Sequence, residues 1–462
     1  MATASNSKNS IYRESFSKEL LKKEPETSDW LQGVRRKAYD RFEKLGFPTR
    51  EEEAWKYINL EPILGASFVS EKGTAPFFQR SENRKKGAVP FSQIEKYFLS
   101  ENQQRLVFVD GVYSKKLSSI KNLPSGVILQ DLATGLLSHG DLIKRYLGRD
   151  ASSEKNAFSS INTFSFKDGL FLYIPDKVVV DSPINIILLG TGSDAAPTLF
   201  YSRILVAIGE CSRVRIIVNY AGLPEARYFN NTVAEVHVGE GACLDYFQIE
   251  RGSKNAYQVA TNHFYLGKFS TLETLAFTEG GAITRNEDVV EFQGEKGFAS
   301  LKGLSLLNQE SEVYNHVVVN HKTPDCTSRQ FYKNILSGKA RSEFNSLVRV
   351  WRGAQKSDSN QLNRTLLLSD TAENHSRPQL KIDADDVSCT HGATVGQLEK
   401  DELFYLRSRG LSKELARFVL TSGFAEEVVQ DLEPASLREH LRVWIAEELE
   451  TAIEGKVQHV DR

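Results

Sequence analysis

The pattern of apolar and polar residues changes twice along this chain and divides it into three parts. In the first part, apolar residues between 28 and 46 recur at the spacing of one helical face, which predicts a helix that ends at Gly46. The apolar run 106–109, followed by Asp110-Gly111, is typical of a strand and a tight turn. We therefore predict that residues 1–150 form an N-terminal domain of helical or mixed structure.

The second part, residues 151–395, contains short runs rich in valine, isoleucine, tyrosine and phenylalanine. Such runs predict β-strands, because branched and aromatic side chains pack well on a pleated surface. The clearest runs are 171–174, 184–189, 204–208, 214–218 and 233–238.

A unit of strand, glycine-polar turn and strand recurs within this second part. Its glycines are Gly209, Gly239, Gly267 and Gly294, at intervals of 30, 28 and 27 residues. One such unit cannot bury its apolar face, whereas stacked units share a continuous one, so the repeat predicts a β-solenoid or β-helix. The alternative is a β-sandwich with glycine-rich hairpins. Polar residues before Gly294, at positions that are apolar in the earlier units, indicate a register slip and weaken the solenoid interpretation.

The third part, residues 396–462, returns to helical spacing and is predicted to be a C-terminal helical domain. Its helices are amphipathic but carry charges of both signs, which favours a packing or partner-binding face over a membrane-surface helix.

The composition narrows the possible functions. The 462 residues carry 58 basic and 60 acidic side chains, a formal net charge of -2, which excludes a strongly basic nucleic-acid binder. No apolar stretch is long enough to predict a membrane span. Residues 1–21 are polar and include acids, so they do not resemble a secretory signal and argue weakly against a transit peptide. The sequence also lacks the phosphate-binding loop GxxxxGK[ST] and the motifs HExxH and GxSxG, so no motif supports assignment to most simple enzyme classes.

The four cysteines are scattered and form no CxxC pair, which argues against a zinc ribbon, a redox dithiol and a disulfide framework. Cys211 and Cys243 each follow a repeat glycine closely, and we expect both to pack in the core, as small weakly polar side chains often do. Cys326 is likewise expected to be structural.

Two further groups suggest metal binding but have simpler explanations. His316 and His321 are five residues apart, which places them on opposite faces of a strand, so we expect ordinary hydrogen-bonded histidines. Asp385 and Asp386 are adjacent acids with no third ligand apparent, and we expect them in a turn.

Cys389 and His391 differ from these groups because they are two residues apart. If the strand that we predict at 381–387 continues, both side chains share one face. A neighbouring imidazole can favour the thiolate, and the two groups could supply soft and borderline ligands to iron or zinc. Two ligands do not complete a tetrahedral site, so the others would come from another chain, a substrate or distant residues.

The run 363–396, which contains the segment Cys389-Thr-His391-Gly-Ala-Thr, and its continuation 403–410 resemble the C-terminal signature of the SufB/SufD family of SUF-system iron–sulfur cluster assembly proteins. The segment 46–57, Gly-Phe-Pro-Thr-Arg-Glu-Glu-Glu-Ala-Trp-Lys-Tyr, is similar to the N-terminal motif of the SufD branch. Gly392 favours the SufD branch, because the SufB branch is expected to have an acidic residue after the histidine.

The resemblance implies a mainly β fold, with a right-handed parallel β-helix core between N-terminal and C-terminal helical domains. It implies a non-catalytic scaffold subunit that pairs with SufB through the β-helix and binds the ABC-type ATPase SufC through its C-terminal helices. In those helices the apolar candidates for the ATPase contact are Leu403, Phe404, Leu406, Phe418 and Phe424.

The family histidine at the SufB interface corresponds here to His391, and Cys389 matches a neighbouring cysteine of less certain role. His391 is thus a candidate metal ligand for a nascent iron–sulfur cluster that is shared transiently with SufB. Because clusters generally take four protein ligands, we expect no cofactor to be held by this chain alone.

Two other functions remain as alternatives at this stage. Many β-helix proteins are carbohydrate-active enzymes, but those usually carry a secretion signal. The chain could also act as a SufB-like homodimer without a distinct partner. For location we expect bacterial cytoplasm, with plastid stroma less favoured.

Overall fold

The computed structural model of the protein describes residues 28–66, 68, 95, 97, 104–149 and 156–454. The N-terminal stretch 1–21, on which the expectation about targeting rests, lies outside the described residues. In the described ranges, no helix has the length and apolar character needed to cross a membrane.

The core is a parallel β-solenoid of about eight turns, and the whole structure is 44% strand and 23% helix. Its strands are β1 Gln104–Val109, β2 Val112–Tyr113, β3 Ile128–Asp131, β4 Asp168–Ile174, β5 Ile184–Gly190, β6 Thr198–Ile208, β7 Arg213–Gly222, β8 Tyr228–Val238, β9 Cys243–Arg251, β10 Tyr257–Leu266, β11 Thr271–Thr278, β12 Ile283–Phe292, β13 Phe298–Leu307, β14 Glu312–His321, β15 Thr327–Leu336, β16 Arg341–Val350, β17 Asp358–Leu367, β18 Glu373–Ile382 and β19 Ser388–Gly396.

The strands form two sheets. The ten-stranded sheet has the order β19-β17-β15-β13-β11-β9-β7-β5-β1-β2, and the nine-stranded sheet has the order β18-β16-β14-β12-β10-β8-β6-β4-β3. Each turn of the solenoid gives one strand to each sheet, so the solenoid prediction is confirmed and the β-sandwich alternative is wrong.

The two sheets enclose a lumen that is filled by every second side chain of each strand. Equivalent inward positions stack in columns, because each strand pairs in register with the strand one turn later. One column of the nine-stranded sheet is apolar from end to end and consists of Leu172, Val206, Val236, Phe264, Val290, Val319, Val348 and Leu380. Burial of such columns contributes favourable hydrophobic free energy to folding, which a single turn could not supply because its apolar face would remain exposed to water.

The repeat glycines Gly209, Gly239, Gly267 and Gly294 lie at one corner of the solenoid, as the solenoid model requires. A second feature of this corner was not visible in the sequence. In seven successive turns, one residue has a left-handed backbone, and its N–H donates to a carbonyl of the next turn. These residues are Lys177, Cys211, Gly241, Phe269, Lys296, Asp325 and Lys356.

The structure corrects the expectation for two of the cysteines. Cys211 occupies one of the left-handed positions, so its side chain is exposed at the corner rather than packed in the core. Cys243 begins β9 and is only partly buried. Cys326 is completely buried, as expected, and its thiol donates to the Gly294 carbonyl over 3.4 Å.

The irregular fourth repeat has a local explanation. Phe292 pairs with Leu266 in register, so the strand itself does not slip. Gln293 is an additional residue between the end of β12 and the turn, which moves Gly294 one position later than the earlier glycines. The predicted register slip is therefore wrong, and the inward apolar column continues through this turn.

The N-terminal helices pack against the outer face of the nine-stranded sheet. They are α1 Asp29–Leu45, α2 Glu61–Leu64, α3 Leu132–Ser138, α4 Gly140–Ile143 and α5 Ala157–Ser165, with a 3-10 turn at Glu53–Trp55. The helix predicted to end at Gly46 is confirmed as α1. β1 lies within the segment 1–150 and yet pairs in parallel with β5, and a tight turn at Asp110-Gly111 joins it to β2.

The C-terminal helices are α6 Lys400–Ser408, α7 Lys413–Val429 and α8 Ala435–Glu454. α7 and α8 cover the outer face of the ten-stranded sheet through buried residues such as Val428, Leu441 and Trp444. At this contact the ammonium of Lys333, which is completely buried on β15, lies 2.7 Å from a Glu427 carboxylate oxygen and donates to the Phe424 carbonyl over 2.8 Å.

Candidate functional site

The last turn of the solenoid, which we call the terminal coil, consists of β18, the bend at residues 383–387, and β19. In the part of the chain that the structure describes, β18 and β19 are the end strands of their sheets, so each pairs with a neighbour along one edge only. Their inward side chains have no following coil above them: Ile382 is 40% exposed and Val395 is 49% exposed, whereas Val350, one turn earlier, is completely buried. The terminal coil therefore presents two open strand edges and a partly apolar surface.

Cys389 and His391 both lie on β19 and face the same side. Cys389 pairs with Ser359 and His391 pairs with Gln361, and both of these β17 residues are buried in the lumen. The predicted juxtaposition is therefore present, although the strand does not run through: β18 ends at Ile382 and β19 begins at Ser388. Cys389 is partly buried and His391 is exposed at the end of the solenoid.

The Cys389 thiol does not show the activation that a neighbouring imidazole could provide. Burial raises its pKa, a hydrogen bond from the Ser359 backbone opposes that rise, and the carboxylate of Asp358 adds to it. The thiol is thus protonated at neutral pH, and it must lose this proton before it binds a metal ion.

A polar column leads from the lumen towards this thiol. The ring of His321 lies 2.9 Å, through Nε2, from the Ser328 hydroxyl, which donates to the Ser359 hydroxyl over 2.9 Å. Ser328, Ser359 and Cys389 are successive members of one inward column. Burial lowers the pKa of His321 to about 4, so this imidazole is neutral at physiological pH.

The other candidate groups are not brought to this site. His316 and His321 are on opposite faces of β14, as predicted: His321 faces the lumen, while His316 Nδ1 lies 3.6 Å from Glu287 Oε2 on the outer side. Asp385 and Asp386 lie in the bend of the terminal coil, also as predicted. Across the residues described, no cluster of three or more histidines, cysteines and acids is placed to hold a metal ion.

The five apolar residues predicted for the ATPase contact do not form one surface. Phe404 on α6 is 74% exposed, and Leu403 and Leu406 are partly buried on the same helix. Phe418 and Phe424 pack instead against the apolar cluster between the C-terminal helices and the ten-stranded sheet. Other exposed apolar residues of the C-terminal helices, outside these five positions, are Tyr405 on α6, Leu415 and Val419 on α7 and Val443 on α8.

A buried acidic network in the middle of the lumen was also missed. The Glu250 carboxylate accepts hydrogen bonds from Gln258 Nε2, Thr278 Oγ1 and Asn286 Nδ2, at 3.0, 2.9 and 3.3 Å. Asp288 accepts one from Asn262 over 2.7 Å. Burial raises the pKa of Glu250 to about 7 and that of Asp288 to about 6. The strand alternation would have placed both inside, had the register of the turns been known.

Comparison with known proteins identifies the family. The family model described as "SUF system FeS cluster assembly, SufBD core domain" matches residues 189–424, which include the whole terminal coil and α6. The model of the SufBD protein N-terminal region matches residues 6–186. This chain belongs to the SufBD family.

Individual relatives agree over most of the chain. The iron–sulfur cluster assembly protein SufD of Escherichia coli is 29% identical over 453 residues, which cover 97% of this chain and 99% of that protein. A SufBD family protein of Synechocystis is 31% identical over 424 residues, 89% of this chain and 90% of the relative. SufD of Bacillus subtilis is 24% identical over 419 residues, 89% and 92% of the two chains. The resemblance read from the motifs is therefore confirmed, and this SufBD chain is assigned to iron–sulfur cluster assembly.

Proposed function

We propose that this SufBD chain is the SufD-type scaffold subunit of a SUF complex and carries no catalytic activity of its own. The observation that carries the proposal is the terminal coil, which places Cys389 and His391 side by side on a strand with an open edge. Two ligands cannot hold a cluster, so a second chain has to complete the site. The nascent iron–sulfur cluster is the cargo of this shared site.

The partner at the terminal coil is a SufB-type paralogue. A related solenoid ends in edge strands of its own, and two such ends can pair backbone to backbone while they bury half-exposed residues such as Ile382 and Val395. His391 then lies within the interface and supplies an imidazole ligand, and Cys389 supplies a thiolate after it has lost its proton to solvent or to the partner.

A SufC-type ABC ATPase binds the exposed face of α6 and α7. Phe404, Tyr405, Leu415 and Val419 are each between 43% and 74% exposed, an unusual concentration of large apolar side chains on two adjacent helices. Phe418 and Phe424 fix α7 to the solenoid and so present this face rigidly. The absence of a phosphate-binding loop from the sequence agrees with an ATPase that is a separate subunit. The location we propose is bacterial cytoplasm, in line with the bacterial SufD relatives.

Co-purification tests the proposal. The tagged chain is co-expressed with a SufB-type paralogue and a SufC-type ATPase, and we expect all three to elute as one complex. The double substitution Phe404→Asp with Tyr405→Asp is expected to remove the ATPase and to retain the paralogue. Leu137→Asp is the matched control, because Leu137 is 70% exposed on the N-terminal α3 and its substitution should remove neither partner.

Substitution is preferable to deletion of the C-terminal helices, because α7 and α8 cover a large apolar face of the ten-stranded sheet. Elution of the wild-type chain only as a homodimer, in the presence of both partners, would refute the proposal. Retention of the ATPase by the double variant would refute the assignment of the α6–α7 face.

A further inference from the structure

The segment 53–57, which follows α1 by seven residues, reaches across the outer face of the nine-stranded sheet as far as the terminal coil. Glu53 Oε1 lies 2.8 Å from Arg377 Nη1 on β18. The ring of Tyr57 is stacked on the ring of His375, also on β18, with centroids 3.8 Å apart and an interplanar angle of 10°. These contacts join residues that are more than 300 positions apart in the chain.

The middle of the same segment is anchored to strands deeper in the solenoid. Trp55 is buried, and the guanidinium carbon of Arg285 on β12 lies 3.9 Å from the centroid of its ring. The same guanidinium donates to the Ala54 carbonyl over 3.0 Å, and the hydroxyl of Tyr314 on β14 donates to the Tyr57 carbonyl over 3.1 Å. The segment is thus fixed to strands that are paired on both sides, and it contacts the edge strand β18 through the side chains of Glu53 and Tyr57.

The two strands of the terminal coil are supported differently as a result. Among the described strands, β18 pairs with β16 alone and β19 with β17 alone, so each has an open side. His375 and Arg377 are partly buried beneath the segment 53–57. On β19 the outward Thr390 and Thr394 are exposed. A strand with one pairing partner opens at low free energy, and a second contact on its outer face raises that free energy.

We propose that residues 53–57 form a brace that holds β18 in an ordered, extended conformation for pairing with the partner chain. An incoming strand then meets an edge that is already ordered and does not have to supply the ordering entropy itself. This role in pairing rests on the proposed function, whereas the effect of the brace on β18 is a property of the isolated chain.

Amide hydrogen exchange of the isolated full chain, followed by mass spectrometry, tests the brace. In the wild type, peptides from 373–382 are expected to exchange at least about tenfold more slowly than peptides from 388–396. The double variant Glu53→Ala with Tyr57→Ala is expected to remove that difference by accelerating exchange in β18, with β12 and β14 unchanged. Glu51→Ala is the matched control, since the exposed Glu51 side chain lies outside the brace, and it should exchange like the wild type.

A charge exchange guards against general damage to the fold. Glu53→Arg and Arg377→Glu are each expected to accelerate exchange in β18, and the two together are expected to restore protection. Affinity for the SufB-type paralogue, measured by titration, should fall about tenfold in the Glu53→Ala, Tyr57→Ala variant. Unchanged exchange in β18 of that variant overturns the brace. Faster exchange in β18 with undiminished affinity for the paralogue overturns the role of the brace in pairing. A wild-type chain that does not bind the paralogue at all overturns the proposed function, but the exchange comparison still tests the effect of the brace on β18.

Discussion

Replacement of Glu250 by glutamine should make this protein more stable at alkaline pH. The carboxyl group lies buried on β9, where its three hydrogen-bond donors are neutral and a second acid, Asp288, disfavours a negative charge on it. No cation within the described lumen network compensates a negative charge on Glu250. Burial is therefore the largest influence on this group, and it raises the pKa from an ordinary 4.5 to about 7.

The magnitude follows from the two pKa values. Between about pH 4.5 and about pH 7 the unfolded chain releases a proton that the folded chain keeps, so the free energy of unfolding falls as the pH rises. The stabilising effect of the protonated carboxyl is fully present below about pH 4.5 and is lost above about pH 7. At about 1.4 kcal/mol for each pH unit, the loss amounts to about 3 kcal/mol.

Urea denaturation followed by circular dichroism, at several pH values between about 4.5 and about 8, measures this effect as the difference between Glu250→Gln and the wild type. The glutamine amide can form different hydrogen bonds from the carboxyl group, but their contribution does not depend on pH. It therefore shifts the difference in unfolding free energy between variant and wild type equally at every pH and leaves its slope against pH unchanged. We expect the variant to gain about 3 kcal/mol over the wild type across this range. Glu310→Gln, at an exposed carboxyl, is the matched control and should give a flat difference. A flat difference for Glu250→Gln as well would show that our account of the lumen is wrong.

Two further substitutions examine other buried titratable groups. Because burial lowers the pKa of His321 to about 4, the neutral ring stabilises the fold above about pH 6.5, and this stabilisation is lost as the pH falls towards 4. In the same urea series, His321→Gln should therefore lose about 3 kcal/mol less than the wild type as the pH falls from about 6.5 to about 4. An equal loss in the variant and the wild type would contradict the burial of this ring. Glu235→Gln should lower the free energy of unfolding by about 3–5 kcal/mol, since Glu235 pairs with the completely buried Arg203 and also accepts from the Gly148 and Arg149 amides. The urea midpoint of Glu310→Gln should stay near the wild type, and an equal loss at both positions would refute the importance of the buried pair.

The sequence predicted the solenoid from glycines that recur at the corner, but it could follow them only as far as Gly294. Beyond that point the corner is formed by Asp325 and Lys356, whose backbones adopt the same left-handed conformation as Gly241. What repeats at this corner is a backbone N–H that donates to a carbonyl of the next turn. Because every residue except proline has this N–H group, the repeat requires no particular residue type and is not recognisable in the sequence. The exposed thiol of Cys211 was misassigned for the same reason.

The candidate site was predictable in part. Alternation along a strand is enough to place Cys389 and His391 on one side, whatever the surrounding fold. Their position at an open end, by contrast, depends on which turn of the solenoid is the last. Phe404 and Phe418 look alike in an amphipathic sequence, and only the docking of α7 on the ten-stranded sheet distinguishes the exposed ring of Phe404 from the partly buried ring of Phe418.

Whether the terminal coil takes part in cluster assembly is tested by measuring the iron and acid-labile sulfide bound by the complex of this chain with its SufB-type and SufC-type partners. The measurement compares the wild type with His391→Ala. Size-exclusion chromatography first establishes that both complexes contain all three subunits. Thr390→Ala is the matched control, because its side chain lies on the opposite face of β19. If the terminal coil takes part in cluster assembly, the His391→Ala complex stays intact and loses most of its cluster. The Thr390→Ala complex retains its cluster. An intact His391→Ala complex with a full complement of cluster would show that His391 takes no part in cluster assembly.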